Sequence, residues 1–412
     1  MAPDPELPCD EAAQSGLDGS ASEAIPHGDL SSGRFRLGYR PELDGLRALA
    51  VALVFVAHIG YPWQSVMGKF LPGSFQGVDL FFVLSGFLLT TLLFEERAST
   101  GGFSFKGFYR RRALRLLPAV VFMLLVLVPW TINQYDDVAA HFWSYVYVMF
   151  YVTNWAVVFG HDGVIPFTFS HMWSLAIEEQ YYLLFFPLLI GLLGWFKKLS
   201  TVGWVLIGMI VAVWINRFVW ALNTSPGAFE TTLYVRTDTR ADALLLGPLL
   251  AVWLQLGNRV TPKLRLLAIP AAAFLIWTIV YARVNDTWVY YWGLGLIDIC
   301  WMIVLASVVG AQHVFARFLR LRPIVWTGTI SYGLYLWHMP VFVEMMRHTR
   351  YRELPHWLPF TIAVILTFIA ATFSYYVIER PFLRRKRPRG SVSNTASPAG
   401  LDDEAARSAQ SA

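Results

Sequence analysis

Residues 45–64 read GLRALAVALVFVAHIGYPWQ, an apolar run interrupted by two ionisable side chains, Arg47 and His58. A hydrocarbon core about 30 Å thick is crossed by a helix of roughly 20 mostly apolar residues, so this run is long enough to span a bilayer. Further runs of the same kind lie near 76–95, 113–130, 173–195, 202–222, 239–256, 266–284, 288–310, 324–346 and 357–378. Composition agrees: of 412 residues 56% are hydrophobic and 15% charged, with mean hydropathy +0.48, too apolar for an ordinary water-facing surface. The expected fold class is therefore all-α, a polytopic membrane protein of about ten transmembrane helices, with eleven spans as the alternative.

Lys and Arg in short connections mark the cytoplasmic side. Arg97, Lys106, Arg110, Arg111, Arg112 and Arg115 put the second connection inside. Lys197 and Lys198, then Arg259, Lys263 and Arg265, then Arg317, Arg320 and Arg322, then Arg384 to Arg387 fit the same orientation, which makes both termini cytoplasmic. Arg347, Arg350 and Arg352 dissent. A crossing by 142–160 would send the later basic loops outside, so that stretch reads as re-entrant or interfacial. Its Trp143, Tyr145, Tyr147, Tyr151 and Trp155 suit an interfacial belt. Residues 1–38, acidic and poor in aromatics, read as a disordered cytoplasmic tail, 39–382 as one transmembrane domain, and 383–412 as a basic and then disordered cytoplasmic tail. The basic residues flank apolar runs and form no patch on a soluble domain, which excludes nucleic acid as the expected partner of the net charge of +5. Cys9 and Cys300 make no disulfide framework, and the scattered histidines imply no metal.

Ionisable groups at membrane depth cost several kcal/mol unless paired or watered, which makes them candidates for function. Arg47 and His58 are eleven residues apart, about 1100° of helix and so only about 20° from eclipsed, which puts both on one face roughly 16 Å apart. The bland alternative is local: Arg47 snorkels to headgroups and His58 satisfies a carbonyl. Gly77 to Phe87 carries Asp79 and the small pair Ser85-Gly86, for which close helix packing is an equal reading. Arg112 and Arg115, at i and i+3, point the same way where a diphosphate could be gripped, or where positive-inside anchoring alone would put them. His171 to Tyr182 sets Glu178 and Glu179 in an apolar helix. Neighbours on a helix diverge by about 100°, so one of the two is expected to face a given partner such as His58 or an arginine. Structural pairing is the expected role of Arg240, Asp242, His338, Glu379 and Arg380.

Arg47 with His58, Gly77 to Phe87, Arg112 with Arg115, Trp173 to Tyr182 and Ser331 to His338, in this order over roughly 39–382, resemble the membrane-bound acyltransferase-3 family of bacteria. The resemblance implies about ten helices and transfer of an acetyl or other short acyl group from a cytoplasmic donor, usually acyl-CoA. The implied acceptor is a hydroxyl of a cell-envelope glycan, a lipid-linked sugar or a secondary metabolite such as a macrolide, and the implied location is the inner or plasma membrane. It also implies that His58 and Arg47 are essential; the mechanism expected from the residues themselves has His58 as general base or acyl carrier, with Glu178 or Asp79 orienting it. Arg112 and Arg115, with Ser85 beside them, are implied on the donor side. Many relatives carry a fused extracytoplasmic hydrolase-like domain, so the short C-terminal tail sets the expectation that this chain acts alone or borrows a partner. The rival class is a transporter or flippase using the same polar track; it predicts inverted repeats with interrupted helices and no consumption of acyl-CoA.

Overall fold

Helix is the only regular structure that an isolated apolar segment can form in lipid, because it pairs its own backbone groups. In the computed structural model, which describes residues 35–59, 71–134, 138–161, 163, 165–310, 313–347 and 357–384, all ten apolar runs are helical over most of their described length. In chain order the helices are α1 (Pro41–Ile59), α2 (Gln76–Thr100), α3 (Phe105–Gln134), α4 (Val138–Met149), α5 (Thr153–Val158), α6 (Met172–Trp195), α7 (Leu199–Leu222) and α8 (Thr237–Gln255). They continue as α9 (Pro262–Leu266), α10 (Ala268–Tyr281), α11 (Leu294–Gly310), α12 (Val314–Leu319), α13 (Arg322–Thr329), α14 (Ser331–Arg347), α15 (Trp357–Phe373) and α16 (Arg380–Arg384). The expected tails, the end of the first run, and Arg350 and Arg352 lie outside the described residues.

Seven helical stretches, 72–100, 105–133, 172–195, 199–222, 262–281, 289–310 and 358–384, are long and apolar enough to cross a membrane. The chain is thus an all-α, multi-pass membrane protein. Helices α1, α8 and α14 differ for a physical reason. They run 19, 19 and 17 residues, and the first two carry Glu42, Asp44 and Arg47 or Asp238, Arg240 and Asp242. Both pack inside the bundle, α1 against α2, α13 and α14, and α8 against α2 and α7, where protein rather than lipid surrounds their charges. The large exposed apolar side chains sit instead on helices such as α7 (Trp204, Ile215), α10 (Ile269, Ile276) and α15 (Ile365, Ile369), the surfaces that lipid would cover.

The most extensive helix contact among the described residues is between α2 and α8. A Cβ on Gly86 would stand 2.1 Å from the Leu244 carbonyl oxygen, and one on Gly247 2.2 Å from the Phe87 nitrogen, so glycine at both positions is what lets these backbones touch. Close packing is therefore the role of Gly86. Its neighbour Ser85 does something else, described below.

Residues 142–160 form no single span. Helix α4 rises about 18 Å over its 12 residues and α5 has only 6, both short of a 30 Å core. Between them the helix is broken by a turn at Tyr151, whose φ of 53° is unusual for a bulky side chain. The turn is held from α6, where Gln180 Nε2 donates to the Tyr151 carbonyl at 2.7 Å and to Asn154 Oδ1 at 2.9 Å.

Candidate active site

A cavity of about 1510 Å³ lies among α1, α2, α3, α6 and α14. Its α2 wall runs from Val78 to Thr100, about 33 Å at 1.5 Å per residue, so the space is long as well as large. Six arginines line it, Arg36, Arg97 and Arg111 together with the three singled out in the sequence: Arg47 from α1, and Arg112 and Arg115 one turn apart on α3. Glu178 and Tyr182 of α6 and Ser85 of α2 complete this part of the wall.

The three arginines are not equivalent. Arg112 is held by the wall itself, 2.7 Å from Glu179 and 3.5 Å from Glu178, with its guanidinium carbon 3.2 Å from the centre of the Tyr182 ring. Both carboxylates thus reach one partner, contrary to the expectation that only one would. The long Arg112 side chain enters between their two rows and one of its nitrogens is shared. Glu178 is fixed further by hydrogen bonds from Ser85 Oγ and Tyr182 Oη, each 2.6 Å to its Oε1. Arg47 has Asp44 at 3.8 Å. Arg115 makes no salt bridge or hydrogen bond among the described residues, so its charge faces the cavity uncompensated by contact.

Ser174 and Tyr335 also line the cavity and mark its boundary with a second cluster. Their hydroxyls are hydrogen-bonded to each other, and Tyr335 Oη also donates to the His171 carbonyl at 2.7 Å. Behind them stand three imidazoles from three separate elements. His338 on α14 has its ring centre 4.9 Å from that of His58 on α1 and 4.9 Å from that of His171, just before α6. Sequence reading missed this cluster, because each histidine belongs to a different motif and none is at helical spacing from another. Among the described residues no group of His, Cys, Asp and Glu is arranged to hold a metal ion.

The remaining site candidates separate. Arg47 lines the cavity and His58 does not, although they share α1. Neither Glu178 nor Asp79 is hydrogen-bonded to His58, whose Nδ1 is 2.9 Å from the Val54 carbonyl. Asp79 pairs instead with Arg240 of α8, both fully buried. Beside that pair Arg217 of α7 binds Asp242 at 2.8 Å, and Trp214 Nε1 donates to the same carboxylate oxygen at 2.8 Å. Arg240 and Asp242, expected as structural pairs, are paired, with Asp79 and Arg217 rather than with each other. Glu379 accepts from Ser374 at 3.2 Å. Arg217 was open to discovery in the sequence as the one arginine inside the 202–222 run.

A family model described as an acyltransferase domain, of the acyltransferase-3 type, matches residues 40–379. The chain is 34% identical over 362 residues to the Staphylococcus aureus (strain MSSA476) protein named "Putative O-acetyltransferase SAS0844", covering 84% of this chain and 58% of that one. It is 32% identical over 370 residues to "O-acetyltransferase OatA" of Staphylococcus aureus (strain NCTC 8325 / PS 47), again covering 84% of this chain and 58% of the relative. The match therefore spans a little over half the length of these relatives. No solved structure matches.

Proposed function

Because the chain belongs to the acyltransferase-3 family, we propose that it is an O-acyltransferase of the plasma membrane. It moves an acetyl or other short acyl group from a cytoplasmic acyl-CoA to a hydroxyl of an envelope glycan, a lipid-linked sugar or a secondary metabolite. One observation carries the reading: a long cavity with an unpaired Arg115 and Arg47 on its wall runs up to the Ser174–Tyr335 boundary of a buried imidazole cluster. Such a wall suits a donor with phosphates at one end and a thioester on a long arm. Arg115 and Arg47 take the phosphates. Arg112, engaged by Glu178 and Glu179, shapes the wall.

In the chemical step His58 removes the proton of the acceptor hydroxyl while its oxygen attacks the thioester carbon. The tautomer suits that task. A carbonyl oxygen only accepts, so the Nδ1 atom 2.9 Å from the Val54 carbonyl carries the hydrogen and Nε2 keeps its lone pair. Basic connections on the donor side put Arg47 toward the cytoplasm and His58 toward the acceptor.

The test uses purified protein, acetyl-labelled acetyl-CoA and extracted envelope lipids and glycans, with mass spectrometry to locate the label. Label on a hydroxyl of the extract is the expected result; label nowhere, with intact protein, overturns the reading in favour of transport. His58→Ala is expected to lower the transfer rate by about 10²–10⁴-fold, the usual contribution of a general base. Near-normal transfer by that variant removes the assignment of His58.

A further inference from the structure

His58 is not among the residues lining the cavity wall, and a second imidazole, His338, packs against its ring at 4.9 Å between ring centres. His338 Nδ1 is 2.6 Å from the Tyr335 carbonyl, so, as in His58, this nitrogen donates and Nε2 is left as a lone pair. That Nε2 is buried and has no hydrogen-bond partner, while the His171 ring has only the Thr168 and Leu336 backbone beside it and no well-formed hydrogen bond to either. Buried polar atoms are nearly always satisfied, and an imidazole nitrogen left open against two other imidazoles needs a reason. The rings pack edge to face, His58 on His338 at 65° and His171 on His338 at 74°. His171 and His338 then each stand 5.4 Å, centre to centre, from the Tyr335 ring that borders the cavity.

From this arrangement we infer that His338 is a positioning and proton-carrying residue, which takes the proton from His58 and returns it, with His171, to the cavity. The inference rests on His58 being the base of the proposed transfer. The proton balance then closes within the protein. The acceptor O–H bond breaks and its proton goes to His58 Nε2, the acceptor oxygen bonds to the acyl carbon, and the carbon–sulfur bond breaks with its electron pair on sulfur. His58 passes the proton to the lone pair of His338, and His338 to His171. The Ser174–Tyr335 hydroxyl pair gives a proton to the sulfur and regains one from the imidazoles. The net change is one hydroxyl and one thioester converted to one ester and one thiol, with no proton exchanged with lipid. The titratable groups facing His338 are His58 from α1, His171 from the segment before α6 and Tyr335 from its own helix; the other rings against it, Phe55 and Phe342, are uncharged.

The experiment compares His338→Gln, His338→Ala and His58→Ala in the full-length chain, with labelled acetyl-CoA and the envelope extract as probes. Rates are taken from about pH 5.5 to about pH 9, a range that brackets an ordinary imidazole, which titrates at about 6.5. Glutamine can still donate to the Tyr335 carbonyl but cannot carry a proton. The expected result for His338→Gln is a fall in kcat of about tenfold to a hundredfold, less than for loss of the base itself, with an altered pH profile and an unchanged KM for acetyl-CoA. His338→Ala, which opens a ring-sized space, is expected to regain activity when free imidazole is added. A normal kcat and pH profile in His338→Gln overturns the inference. So does an inactive His338→Ala that binds acetyl-CoA normally but is not restored by imidazole. An active His58→Ala instead overturns the assignment of the base, so the two failures are told apart.

Discussion

Two groups of charge lie beside α2, one fully buried and one half-buried. On one flank Asp79 pairs with Arg240 and Arg217 with Asp242, across α2, α7 and α8, in a region closed to solvent. On the other, beside a cavity of about 1510 Å³, Arg112 meets Glu178 and Glu179, Arg47 has Asp44 at 3.8 Å, and Arg115 has no salt bridge or hydrogen bond among the described residues. The residue types are the same and the surroundings are not. Where each cation is matched by an anion at contact distance, the charge joins helices. Where a cation is left over beside a large space, its partner is expected to come from outside.

Breaking the closed flank gives the largest effect on the fold. Arg240→Leu leaves Asp79 fully buried without its cation, and removing one member of a buried pair costs about 3–5 kcal/mol. Thermal unfolding of purified protein is expected to show that loss, and the double variant Asp79→Leu with Arg240→Leu is expected to recover most of it. If the double variant keeps its stability yet loses transfer activity, the pair belongs to the chemistry and the distinction between the flanks is wrong.

Arg115→Ala is expected to do the reverse. With no contact to break, it leaves thermal stability within about 0.5 kcal/mol, as substitutions away from such contacts do. Its effect falls on the donor: a rise in KM for acetyl-CoA of about tenfold, or 1.4 kcal/mol, the scale of one charged contact to phosphate. Unchanged KM would mean that the donor's phosphates lie elsewhere on the wall.

The contrast also explains which parts of this architecture were legible in sequence. The helices were, because an apolar run of about 20 residues has one good solution in lipid and needs no knowledge of its neighbours. The break at Tyr151 was not: neither glycine nor proline marks it, and the turn is held by Gln180 from another helix. Candidate site residues stood out singly, through the cost of charge in lipid, but their partners did not. Asp79 and Arg240 are 161 residues apart and Ser85 and Glu178 are 93 apart, so helical periodicity says nothing about either pair. The same holds for His58, His171 and His338, which only the crossing of α1, α14 and the start of α6 brings together.

Ser85 tests the boundary between the two kinds of wall. It faces the cavity, as a donor-binding residue should, and yet its hydroxyl is spent on Glu178 at 2.6 Å. That carboxylate oxygen also accepts from Tyr182 at 2.6 Å and lies 3.5 Å from Arg112, so Ser85→Ala removes one of several supports and leaves Glu178 paired. The expected cost is about 1 kcal/mol of stability, the net value of a typical hydrogen bond. Acetyl-CoA KM is expected to change less than in Arg115→Ala, because the lost group acted on the wall and not on the donor. A KM rise as large as that of Arg115→Ala, with stability unchanged, would move Ser85 from the wall to the ligand. It would also mean that the Glu178 hydrogen bond is exchanged for one to the donor when the cavity fills.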